Sequence, residues 1–136
     1  MTIERINPPE LGRPSGFSHA VAATGGRLVF LAGQTGYDES GTIAGGDVVA
    51  QFDLALRNLL TALRAAGGGP GHLTSLTIYV TDLADYRARA REIGAVWRRL
   101  AGTEYPAMAA VEVSRLWDTA ATVEVQGFAV IPVAGD

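Results

Sequence analysis

Leu28-Val29-Phe30-Leu31-Ala32 is apolar at every position, so a strand built from it needs cover on both faces. A half-exposed strand would alternate instead. Gly25-Gly26 separates it from an earlier run, Ser18 to Thr24, and the two are expected to pair as a β-hairpin. Helices can cover one face of such a strand, and a second copy of the chain is the natural cover for the other.

Further along, Gly36, Asp38, Ser40, Gly41 and Gly45-Gly46 are loop chemistry, and Asp47 is placed to cap a helix. Val49, Phe52, Leu56, Leu59, Leu60 and Leu63 recur at three- and four-residue spacing, while Gln51, Arg57 and Arg64 fall mostly elsewhere. The helix ends in Ala65-Ala66-Gly67-Gly68-Gly69-Pro70, where glycine suits a left-handed cap and proline cannot continue the ladder. Leu76, Ile78 and Val80 alternate with polar residues as in a half-buried strand. Asp82 or Asp85 can cap a second helix, whose apolar stripe is Tyr86, Ala90, Ile93, Trp97 and Leu100, with Arg87, Arg91 and Arg98 outside or flanking it. Two last strands are expected over about 107–116 and 121–131. The order β-β-α-β-α-β-β predicts an α+β fold with two helices on one face of a mixed sheet.

Composition narrows the chemistry. At 136 residues and 48% hydrophobic content, residues 1–136 are expected to form one domain with a real core. A net charge of −3 leaves no basic footprint for nucleic acid. No apolar run approaches a membrane span, and Met1-Thr2-Ile3-Glu4-Arg5 lacks the basic start of a secretory signal, so the cytoplasm is the expected compartment. The absence of cysteine excludes disulfides, thiol nucleophiles and thiolate metal sites. All 11 basic residues are arginine, so no lysine can form a Schiff base. His19 and His72 are not at metal-binding spacing, so no protein metal centre is expected.

Among the titratable groups, Glu124 shares a strand face with Thr122 and Gln126, opposite Val123 and Val125. On a solvated face it is an ordinary surface carboxylate; on an intersubunit face it is partly desolvated and can hold a water as a base. Glu112, in Val111-Glu112-Val113, has the same alternation and a weaker case. His19 sits among small apolar residues and suits packing or hydrogen bonding as well as catalysis, while His72 after the glycine loop is expected to be exposed. Ser18 and His19 are adjacent on a strand and point to opposite faces, which argues against a serine-hydrolase triad.

Several motifs in order resemble the Rid/YjgF family of reactive intermediate deaminases over about 14–131. Gly16-Phe17-Ser18-His19-Ala20-Val21 is similar to its Gly-Pro-Tyr-Ser-Gln-Ala start, and Leu28-Val29-Phe30-Leu31-Ala32-Gly33-Gln34 to its Leu-Phe-Leu-Ser-Gly-Gln strand. Gln51, Asn58-Leu59 and Thr81-Asp82-Leu83-Ala84-Asp85-Tyr86 fall where the family has matching residues. Pro106-Ala107-Met108-Ala109-Ala110-Val111 resembles its Pro-Ala-Arg-Ser-Cys/Thr-Val segment, and Val123-Glu124-Val125 its closing strand.

The resemblance implies a chorismate-mutase-like α+β fold, with a mixed six-stranded sheet, two helices on one face, and a homotrimer built around a central barrel. Small-molecule sites then lie in clefts between subunits. It implies a catalytic role for Glu124, positioning water against a C=N carbon, and substrate contacts at Phe17, Ser18, Gly33, Met108, Ala109 and Ala110. Met108 stands where deaminating members carry the arginine that grips a substrate carboxylate, and a thioether cannot replace a bidentate guanidinium. The cleft is thus expected to be more apolar and to have no cationic anchor. Two readings follow: a cofactor-independent hydrolase acting on an imine, enamine or related electrophile with altered substrate range, or a non-catalytic trimer that binds a small molecule or a partner.

Overall fold

The computed structural model describes residues 1–133. In chain order the elements are β1 (Thr2–Ile6), β2 (Ala20–Thr24), β3 (Arg27–Thr35), α1 (Val48–Ala65), β4 (Leu73–Val80), α2 (Leu83–Ala88), α3 (Ala90–Ala101), β5 (Ala107–Glu112) and β6 (Val123–Ile131). Short 3-10 turns occur at Pro9–Leu11 and Pro70–His72.

The fold is α+β, as expected, but its six strands are divided. Four form a mixed sheet in the order β3-β6-β4-β5, with β6 antiparallel to β3 and β4, and β4 parallel to β5. β1 and β2 form a separate antiparallel ribbon, linked to the sheet by one bridge between Ser18 and Ala107. The expected hairpin between β2 and β3 does not form: β2 pairs with β1, and β3 with β6. The Gly25-Gly26 connection is wedged between the chain start and the end of β6. A β-carbon at Gly26, where φ is +85°, would meet Met1 Cγ at 2.6 Å and the Ile131 carbonyl oxygen at 2.7 Å. The chain passes there from ribbon to sheet.

α1 begins where its sequence says it should: the Asp47 side chain accepts a hydrogen bond from the Ala50 amide at 2.9 Å. It ends with Gly67 at φ +99°, the amides of Gly67 and Gly68 donating to the carbonyls of Arg64 and Leu63. Phe52, Leu56, Leu59 and Leu63 are buried against Leu73, Leu76, Val80, Val123, Val125 and Ala129 of the sheet.

The second helix is two helices. Asp82 caps α2 through the Asp85 amide at 3.0 Å, but Arg89 leaves helical geometry at φ −101°, ψ 17° before α3 begins. Its guanidinium grips Glu92 through Nε and Nη2 at 2.9 and 2.8 Å, and Nη2 also reaches Asp47 at the start of α1 at 2.8 Å. Three α-helices, not two, therefore occur among the described residues.

β6 alternates buried and open positions along its length. Its buried side faces the helices. On the other side Phe30 is 72% exposed and Leu28 55%, with the Phe30 and Phe128 rings edge to face at 5.4 Å. That face carries no helix.

Candidate functional site

β5 lies at the edge of the sheet, and α3 crosses beside it. Between them is a cavity of about 580 Å³. Register assigns its floor: Met108 is level with Leu76, and Ala110 with Ile78, on the row that faces the helices. Met108, Ala109 and Ala110 line the cavity along with Phe17, which the loop before β2 delivers. That loop is held by His19, whose amide donates to Asn7 Oδ1 at 2.7 Å and whose Nε2 lies 3.1 Å from the Gly12 carbonyl. The Phe17 and His19 rings meet edge to face at 5.1 Å. His19 thus anchors the loop.

Ser18 is 4% exposed and does not line the cavity. Its hydroxyl donates to the Tyr105 carbonyl at 2.7 Å and its amide to the Pro106 carbonyl at 3.0 Å, so it ties the loop to the start of β5. Glu112 is similarly engaged, its Oε1 accepting from the Leu83 amide at 2.9 Å at the start of α2. His72 is partly buried rather than exposed, and its Nδ1 accepts from the Gly69 amide at 2.9 Å.

The cavity walls hold residues that sequence reasoning assigned to other duties. Tyr86 and Trp97, expected in the apolar stripe, line it, and so do Arg91 and Arg98, expected outside or flanking that stripe. The cavity therefore has cations, contrary to the expected apolar cleft, and they come from α3 instead of β5. Neither arginine forms an ion pair or a side-chain hydrogen bond among the described residues. Burial pushes the Tyr86 hydroxyl up to about 12, so it stays protonated and able to donate. Trp97 stacks on Tyr105 with ring centres 6.2 Å apart, and its indole nitrogen is buried without an acceptor among the described residues. The available signal was Gly94, an unfavoured residue inside a helix, one turn before Arg98.

Glu124 is elsewhere. It is level with Tyr79 of β4 and Thr35 of β3, on the row that faces away from the helices. It is partly buried, with no ion pair or side-chain hydrogen bond among the described residues. Its carboxylate rests against Gly33, in the irregular stretch of β3 between Leu31 and Gln34. Two polar side chains of α1 fix this place. Gln51, 4% exposed, accepts from the Thr122 amide at 2.8 Å and donates to the Ala120 carbonyl at 3.4 Å, bracing the turn into β6. Asn58 donates to the carbonyls of Thr35 and Tyr37 at 2.9 and 3.1 Å, closing the end of β3. Neither Gly33 nor Glu124 lines the cavity, so the expected site residues fall into two groups on one chain.

The family model described as Endoribonuclease L-PSP matches residues 10–131. The protein DfrA of Myxococcus xanthus is 37% identical over 115 residues, covering 84% of each chain. A protein of Capra hircus named 2-iminobutanoate/2-iminopropanoate deaminase is 30% identical over 105 residues, covering 76% of this chain and 73% of the relative. The crystal structure of the Rid family protein YyfB from Yersinia pestis superposes with a TM-score of 0.86 at 32% identity, covering 96% of this chain and all of that one.

Proposed function

The chain belongs to the endoribonuclease L-PSP family, which takes in Rid and YjgF proteins, and on that premise we propose that it is a cofactor-independent hydrolase of a reactive imine or enamine. The observation that carries this reading is Glu124: a carboxylate with no partner among the described residues, partly sheltered, set against a residue without a side chain.

In the proposed reaction Glu124 takes a proton from a water whose oxygen attacks the C=N carbon. The π electrons move to nitrogen, which is protonated, and the resulting carbinolamine expels ammonia to leave a carbonyl. Tyr86 lines the cavity, where its hydroxyl can donate to the developing charge.

The two groups of residues come together when the uncovered sheet face meets a second copy. Leu28, Phe30 and Phe128 on that face, with Trp117 fully exposed in the loop before β6, supply apolar area for association. A homotrimer, in which Glu124 and Gly33 of one copy close over the cavity of its neighbour, satisfies both needs. The named deaminase among the relatives supports the chemistry. Imines generated in solution by an amino acid oxidase test it: the wild type should accelerate ammonia release and Glu124→Gln should not. Equal traces for wild type and a protein-free control would overturn it.

A non-catalytic binding trimer is favoured by one observation, Met108 in place of an arginine on β5. The same assay decides between them.

A further inference from the structure

The cavity beside α3 has the form of a site for an anion with a large apolar body. We infer that Arg98, with Arg91 beside it, is the anion anchor of this site, and that the ligand class is a bulky, preferably aromatic, monocarboxylate such as a 2-imino or 2-oxo acid. The reading above supplies the chemistry that follows binding; the anchor determines which molecule is held.

Three observations support the assignment. First, among the described residues Arg91 and Arg98 are unpaired although other arginines of the region are engaged: Arg89 holds Asp47 and Glu92, and Arg99 holds Asp53. Those carboxylates are taken up by Arg89 and Arg99, and the two guanidiniums on the cavity wall are left open to an incoming carboxylate. Second, Gly94 makes room for one of them. A β-carbon there would lie 3.2 Å from an Arg98 guanidinium nitrogen, closer than ordinary contact, so the head group of Arg98 folds back over bare helix. Third, Phe17, Tyr86, Trp97 and Tyr105 give the cavity aromatic walls. A planar apolar body fits these walls, while the arginines stay at the rim where they keep their hydration until a ligand arrives.

Calorimetric titration with phenylpyruvate, a stable stand-in for an aromatic 2-imino acid, tests the inference, with phenylacetone as its uncharged counterpart. The wild type should bind phenylpyruvate at least about tenfold more tightly than phenylacetone, the order of a charge-assisted hydrogen bond. Arg98→Met should lose about tenfold, and Arg91→Met/Arg98→Met should lose saturable binding. Arg87→Met, on α2 away from the cavity, should bind as wild type. Equal affinity for the two ligands, or a folded double variant that binds phenylpyruvate like wild type, would overturn the anchor. The ligand comparison needs only the wild-type protein. Glu124→Gln should retain phenylpyruvate binding, so failure of the hydrolytic reading and failure of the anchor are separable.

Discussion

Oε2 of Glu124 lies where a side chain at position 33 would have to be: a β-carbon on Gly33 would fall 2.2 Å from it. The contact couples the strand interior to the candidate base. Because the clash is mostly with the far end of a flexible side chain, Gly33→Ala should displace the carboxylate while costing only about 1–2 kcal/mol of stability. Ammonia release from imines should fall as far as in Glu124→Gln, with a thermal midpoint close to wild type. An alanine variant of full activity would show that the carboxylate's resting place is unimportant.

Gln51 acts through position. Gln51→Leu fits the buried space but leaves the Thr122 amide and the Ala120 carbonyl without their partner. It should destabilise the fold by about 1–3 kcal/mol in denaturant titrations. Since Thr122 is two residues before Glu124, turnover should fall as well, with substrate affinity little changed.

The open sheet face should be the assembly surface. Phe30→Asp places a charge at its most exposed aromatic, and sedimentation should then give a monomer where the wild type gives a trimer. A wild type that sediments as a monomer would remove the basis for a shared site.

Met108 and Arg98 address the same cavity from β5 and α3. Introducing Met108→Arg into the Arg98→Met variant should restore phenylpyruvate binding, because a guanidinium from the floor replaces one from the wall. Calorimetry on the double variant checks this.

Acid should loosen the molecule at a defined pair of contacts. Burial alone would raise the Asp53 carboxyl, but hydrogen bonds from Arg57 and Arg99 outweigh it and leave the group below its ordinary value of 3.8. A depressed folded value means that the contribution is present above the unfolded pKa and is lost as pH falls through the folded one. The thermal midpoint should therefore decline below about pH 4, and Asp53→Asn should show a shallower decline.

Much of this architecture was legible in the residues, for reasons that are local. The Asp47 cap, the spacing of Phe52, Leu56, Leu59 and Leu63, and the alternation around Glu124 each depend on near neighbours in sequence. What could not be read depends on distant ones. The arginine at the break, Arg89, is tied to Asp47, 42 positions away, and β1 is recognisable as a strand only beside β2. Gln51 looked like a surface residue because its burial is compensated by Ala120 and Thr122, about seventy positions further on. Arg91 and Arg98 looked solvated because the cavity they border exists only once α3 lies across β5.

The claim that Glu124 of one copy serves the cavity of another is tested most directly by mixing defects. Glu124→Gln removes the base and Ala110→Trp fills the cavity, so trimers of either variant alone should be inactive on imines. Co-expressed with different tags and isolated as mixed trimers, they should recover about a third of the wild-type rate, since one of the three sites in each mixed trimer then combines an intact carboxylate with an intact cavity. Mixed trimers as inert as their parents would contradict a site shared between subunits.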